Sequence, residues 1–254
     1  MVKGIDIFKK HFADHTDKFI LIGGTACDLS ISKSGQDFRA TKDLDIVLLI
    51  EAVDVVFTKV FWDFIKLGKY NNLQKNTGKK LFYRFYDPQE KDYPFMLELF
   101  ARRPDLLAED PEIQLAKIHI SEDVTSLSAI LIDEEYYELI INNKKEVEGL
   151  PILSPESIIP LKAKAFLDLS ERKENGEAVD DKDIRKHKND VFRIFMILSP
   201  ETRIKLSDKI ANDMLSFIKV LETDPTDLKN LGIKNIKIDA FINNIKLVFN
   251  LKQE

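Results

Sequence analysis

Apolar positions along the chain fall into two textures. Up to about residue 150, short apolar runs alternate with amphipathic stretches; from Ser154 onward the spacing is helical. Ile5, Phe8 and Phe12 recur at helical intervals, which predicts a helix from Ile5 to about His15. Lys18 to Ile22 reads as a strand, Thr25 to Ser32 as a short helix, and Leu44 to Ile50 as a strand buried on both faces. The stretch from Ala52 to Leu67 predicts an amphipathic helix with Val55, Val56, Phe57, Val60, Phe61, Phe64 and Ile65 on its apolar stripe, and Gly68 is placed to cap it. Strands are predicted at Lys80 to Tyr86 and Pro94 to Phe100, on either side of the Asp87-Pro88 turn, and again at Leu127 to Ile132 and Tyr137 to Ile141. Asn142-Asn143 is a turn signal leading into Lys145 to Val147.

Ser154-Pro155-Glu156 combines a capping hydroxyl, a first-turn proline and an acid near the positive helix end, and predicts a helix running to Arg172. A polar stretch from Lys173 to Asp181, with Gly176, leads to a helix from Lys182 to Leu198 that Ser199-Pro200 stops. Further helices are predicted at Glu201 to Leu221 and Asn235 to Leu251. The texture changes at Gly149-Leu150-Pro151, which predicts an α/β domain over 1–150 and a helical domain over 151–254. The expected class is α+β, a mixed sheet with flanking helices followed by a helical bundle.

Composition narrows this only a little. The chain has 254 residues, enough for one large domain or two modest ones, each with a real core. A formal charge of −5 argues against a general nucleic-acid coat protein, although a local basic groove is compatible with it. Cys27 is the only cysteine, so no intramolecular disulfide can form, and its setting suits a small buried packing residue. The N-terminus lacks a signal-peptide core and no apolar run reaches membrane-spanning length, so a cytoplasmic protein without membrane partners is expected.

Candidate chemistry begins at Phe19-Ile-Leu-Ile-Gly-Gly-Thr-Ala26, an apolar strand that ends in two glycines and enters a helix. Gly23 and Gly24 let a backbone approach phosphate, and the helix start offers N–H groups and a positive end. Thr41-Lys-Asp-Leu-Asp45 opens the next strand, where alternation puts Asp43 and Asp45 on one face and Leu44 and Ile46 on the other. Two adjacent carboxylates repel, and a divalent cation is the usual reason to place them so. Together these are the parts needed for phosphoryl or nucleotidyl transfer involving an NTP.

Four further signals each carry two readings. Arg39 suits either a phosphate clamp or an exposed loop. Glu98, inside the apolar Phe95-Met-Leu-Glu-Leu-Phe100, either completes a carboxylate triad with Asp43 and Asp45 or faces solvent, bonded to Arg102 or Arg103. Lys164 and Asp190 either line a cleft between the halves or make surface pairs, Lys164 with Asp168 and Lys186 with Asp190. Asp183 lies two helical turns before Asp190 on the same face. His11 and His15 have ligand-like spacing but no third ligand, and are expected on an exposed helix face.

Residues 19–50 resemble the first two motifs of the DNA polymerase β-like nucleotidyltransferase superfamily. More narrowly, Ile22-Gly-Gly-Thr-Ala26, Arg39-Ala-Thr-Lys-Asp-Leu-Asp45, the Lys164 helix and Lys188-Asn-Asp190 resemble the AbiEii/AbiGii toxin group. That group is bacterial and often occurs beside an antitoxin or in phage-defence loci. The resemblance implies that Gly23, Gly24 and Thr25, with Arg39, hold the triphosphate. It implies Mg²⁺ or Mn²⁺ on Asp43 and Asp45, with Glu98 in the place of the superfamily's third carboxylate. Lys164 matches the group's lysine and Asp190 its late aspartate, with Asp183 the alternative. The implied activity is transfer of an NMP from an NTP to a tRNA 3′ end or a protein side chain, in a protein with a cognate antitoxin. Alternatives are transfer to a small, aminoglycoside-type acceptor, or a nucleotide-binding interaction protein without catalysis.

Overall fold

The computed structural model describes residues 2–31, 41–49, 52–72, 84–101, 133–234 and 236–251. Its class is α+β. One six-stranded sheet runs in the order β3-β4-β2-β1-β6-β5. The strands are β1 (Phe19–Ile22), β2 (Asp43–Leu48), β3 (Arg84–Tyr86), β4 (Met96–Ala101), β5 (Lys144–Val147) and β6 (Leu150–Leu153). The sheet is mixed: β1 is antiparallel to β2 and parallel to β6, β2 is parallel to β4, and β3–β4 and β5–β6 are antiparallel. The helices are α1 (Ile5–His11), α2 (Gly23–Ile31), α3 (Val55–Gly68), α4 (Glu134–Asn142), α5 (Pro155–Glu174), α6 (Asp181–Phe195), α7 (Asp208–Thr223) and α8 (Ile238–Val248). Contacts divide the chain into a sheet unit, Met1–Ile132 with Lys144–Ser154, and a helical unit, Asp133–Asn143 with Pro155–Glu254.

In the sheet unit, strand alternation sorts residues onto two faces. One face carries Phe19 beside Leu48, Leu21 beside Ile46, and the row Leu44, Leu97, Phe85, all buried. Helices α1 and α3 cover it with aromatic rings. Phe8 lies 5.5 Å from Phe19, Phe12 5.3 Å from Phe64, and Phe61 5.6 Å from Phe85, between ring centroids. The opposite face carries the row Ile22, Asp45, Glu98, Arg84 and, next to it, Asp43, Met96, Tyr86. A hydrophobic floor thus fixes the strands whose other face bears the charged residues.

Several expectations are corrected. Tyr137 to Ile141 is helical, not a strand. Asp133 caps α4, its carboxylate accepting from Glu135 N at 3.1 Å, and Tyr136, Tyr137, Leu139 and Ile140 are buried at helical spacing. Strand-favouring residue types there conceal a helical period. The first helix stops at His11 and a separate 3₁₀ turn covers Ala13–His15. Neither histidine is exposed: His11 Nε2 bonds to Val60 O at 2.9 Å, and the His15 ring lies 5.8 Å from that of Phe57. Val55 and Val56, in the first turn of α3, are 74% and 63% exposed and leave the stripe. Gly68 is the last helical residue of α3, and the left-handed cap is Lys69 at φ 51°. A Cβ at Gly68 would meet the Tyr70 ring at 2.5 Å, so the glycine serves ring packing. Residues 201–207 are not helical; α7 begins at Asp208, where Ser207 Oγ accepts from Ile210 N at 3.4 Å. The predicted strand at Leu127 to Ile132, and the first four residues of that at Lys80 to Tyr86, lie outside the described residues.

Candidate functional site

Strand β1 passes into α2 with no loop between them. Gly23, the first helical residue, has φ +66°, in the left-handed region. The helix therefore begins two residues earlier than the pattern predicts, because the glycine makes the turn inside its first position.

Three consecutive residues of this junction interlock with three residues at the entrance to β2. A Cβ on Gly23 would stand 2.1 Å from Asp45 Oδ2, so the carboxylate occupies the space a side chain would need. A Cβ on Gly24 would stand 3.1 Å from Thr41 Oγ1. Thr25, fully buried, donates its hydroxyl to the Asp43 carbonyl at 2.8 Å. Leu44 and Ile46 are 0% and 2% exposed while Asp43 and Asp45 are half-buried on the other face, as alternation predicts. The first N–H groups of α2 lack intrahelical acceptors and carry the helix's partial positive charge. A helix start alone could employ one carboxylate there; the second, on the same face, adds repulsion that a cation would relieve.

The donor set fits a hard divalent cation: two half-exposed carboxylates on one face of β2, with phosphates able to supply further oxygens. Among the described residues, no group of three or more His, Cys, Asp or Glu is arranged to hold a metal. Glu98 sits beside Asp45 in register and on the same face, yet its carboxylate is engaged. Arg84 Nε donates to Glu98 Oε1 at 2.6 Å, and Nη2 lies 2.5 Å from the same oxygen as an ion pair. Glu98 is thus paired with Arg84. Arg102 and Arg103, the partners expected from sequence, lie outside the described residues, as does Arg39.

Lys164 and Asp190 belong to the helical unit, on α5 and α6. Lys164 Nζ lies 3.0 Å from Asp168 Oδ1 and 3.7 Å from Asp213 Oδ1, so the expected i, i+4 pair forms. Tyr136 Oη donates to the other Asp213 oxygen at 2.8 Å. Burial pulls the Lys164 ammonium toward neutrality, but Asp168 and Asp213 outweigh it and raise its pKa above the ordinary 10.5. Burial, reinforced by Asp213, pushes the Tyr136 phenol up.

Asp190 is 2% exposed, and the lysine beside it is Lys162, whose Nζ is 3.5 Å away; Arg193 Nη1 lies at the same distance. The expected Lys186–Asp190 surface pair is replaced by this buried one. Two residues apart on a helix means about 200° of rotation, so Lys162 and Lys164 point to nearly opposite sides. Lys162 shares its side with Phe166, over whose ring Lys188 Nζ sits at 5.8 Å. Lys188 also donates to Asp224 Oδ2 at 2.8 Å. Asp183 is exposed in the first turn of α6, so the structure separates it from buried Asp190. Sequence reading missed Lys162, Asp213 and Arg84; the Lys162–Phe166 spacing is the one signal that could have found the first.

No protein-family model matches the chain, and no curated protein matches it. Among solved structures, it is similar to the crystal structure of an H. pylori protein provisionally described as a nucleotidyltransferase. The identity is 14% and the TM-score 0.31, over 96% of this chain and 89% of that one. A likeness that distant establishes neither fold nor activity, and the reading below rests on the site.

Proposed function

We propose that this chain is a metal-dependent nucleotidyltransferase that moves an NMP from an NTP to a hydroxyl acceptor. The carrying observation is the interlock of Gly23-Gly24-Thr25 with Thr41, Asp43 and Asp45. It would set a place for phosphates, at the start of α2, beside a place for their counter-ion, at the start of β2. Gly23 and Gly24 put no side chain of their own between Asp45, Thr41 and the start of α2, whose N–H groups would bind phosphate oxygens. Thr25 ties that start to the Asp43 carbonyl and so fixes the spacing between phosphates and carboxylates. Asp43 and Asp45 would hold the Mg²⁺ or Mn²⁺, which supplies neutralisation of charge growing on the phosphate oxygens. In-line displacement asks the protein mainly for positioning and charge, which this arrangement provides.

The resemblance to the AbiEii/AbiGii group supports a finer reading: a toxin with a cognate antitoxin, acting on a tRNA 3′ end or a protein side chain. The lysine and late aspartate of that group correspond to Lys164 and Asp190, and Lys162 joins the candidates because it is the lysine beside Asp190. The test is to offer the protein NTPs labelled at either the α or the γ phosphate, with Mg²⁺ and tRNA. The reading requires acceptor label from the α position only. Label from the γ position would mean phosphoryl transfer instead.

A further inference from the structure

We infer that Arg84 holds Glu98 away from the cation, so that Asp43 and Asp45 bind it without a third carboxylate. This rests on the metal reading of those two aspartates and adds a positioning role for a residue outside the motifs.

Glu98 has every positional qualification of a third ligand. It is the register partner of Asp45 on the parallel neighbour strand, and parallel partners present their side chains to the same face. Neighbouring strands lie about 4.8 Å apart, so one ion could be shared between two such carboxylates. Glu98 is also largely shielded, its side chain 15% exposed, so its charge needs a partner. That partner comes from the far side. Arg84 is the register partner of Glu98 on β3; its Nε donates to Oε1 and its Nη2 stands 2.5 Å from the same oxygen. A planar guanidinium that adds a charge-assisted bond to its ion pair orients a carboxylate more firmly than a lysine's point charge would. The row Asp45, Glu98, Arg84 therefore reads as a ligand, a restrained neighbour and its restraint.

The restraint has a chemical consequence. With two protein carboxylates, the ion's remaining positions fall to water and to the substrate's phosphates, so nucleotide and metal bind as a unit. A third carboxylate would let the bare ion bind more tightly before nucleotide arrives.

Mn²⁺ alone is the probe, titrated into the full chain and followed by the electron paramagnetic resonance signal of free Mn²⁺, with far-UV circular dichroism checking each variant. Glu98→Gln keeps wild-type Mn²⁺ affinity within about twofold, Arg84→Met tightens it by roughly tenfold, and the double variant returns to wild type; changes in a metal's supporting residues commonly act on that scale. Glu98→Gln weakening Mn²⁺ as much as Asp45→Asn does would overturn the inference, as would Arg84→Met leaving affinity unchanged. Should Arg84→Met fail to fold, Glu98→Gln decides alone. Asp45→Asn separates the two levels: wild-type affinity in that variant refutes the metal reading itself, whereas loss there with loss in Glu98→Gln refutes only the restraint.

Discussion

Gly23 and Gly232 both have positive φ, +66° and +78°, but different surroundings. At Gly232 an added Cβ would meet nothing within 4 Å; at Gly23 it would stand 2.1 Å from Asp45 Oδ2. Either Gly→Ala change strains a left-handed residue by about 1–2 kcal/mol. Urea denaturation should therefore show Gly232→Ala destabilised by that amount with Mn²⁺ binding intact, and Gly23→Ala losing both stability and Mn²⁺ affinity. The two lysines of α5 give a second contrast. Lys162→Met removes a cation 3.5 Å from Asp190, which is 2% exposed, whereas Lys164→Met removes one from Asp168 and Asp213, whose side chains are 24% and 22% exposed. Buried charge is the costlier to strand, so Lys162→Met should lower the urea midpoint more. Local sequence displays the glycine turn and the Asp-x-Asp strand because both are short-range patterns. It does not display the Arg84–Glu98 and Lys162–Asp190 pairs, which span 14 and 28 residues and exist only once strands or helices have docked.

Elements whose ends carry strong local signals are legible in the sequence, and those set by packing are not. Strands β1, β2 and β4 announce themselves as apolar runs, and α5 by Ser154-Pro155-Glu156. Helix α4 is hidden because Tyr and Ile favour strands, although Asp133 with Glu134 and Glu135 marks a helix start. Its docking suggests a check: Tyr136→Phe removes the hydroxyl on Asp213 and should cost about 1 kcal/mol, measured by urea denaturation. At α3, the Asp54 carboxylate accepts from Phe57 N at 2.8 Å and meets Lys18 at 3.2 Å. The Phe57 N–H first, then Lys18, hold its pKa below the ordinary 3.8 despite some desolvation. A depressed carboxylate stabilises the fold above its unfolded pKa and loses that contribution as pH falls through the folded value. Acidification from pH 7 to about pH 3 should thus cost Asp54→Asn less stability than it costs wild type. An equal loss in both would remove the cap's electrostatic role.

At the scale of the whole molecule, the α+β class follows from the two hydrophobic textures, but the path between units does not. The chain enters the helical unit at Asp133, returns to the sheet unit at Lys144 and leaves it again after Ser154. Helix α4 and the β5–β6 hairpin are neighbours in sequence that belong to different units, a partition decided by long-range contacts. Among the described residues, no helix is long and apolar enough to cross a membrane. In the proposed reading, the sheet unit's Gly23–Thr25 junction forms one catalytic site for nucleotidyl transfer with Asp43 and Asp45. The most direct test incubates wild type and the Asp43→Asn/Asp45→Asn variant with Mg²⁺, each α-³²P-labelled NTP and total bacterial tRNA, and resolves RNA and protein on a gel. Label on tRNA or on protein with wild type, absent with a folded variant, is the expected result. Equal labelling by the variant would contradict it, and no label from any NTP with wild type would contradict tRNA and protein as its acceptors.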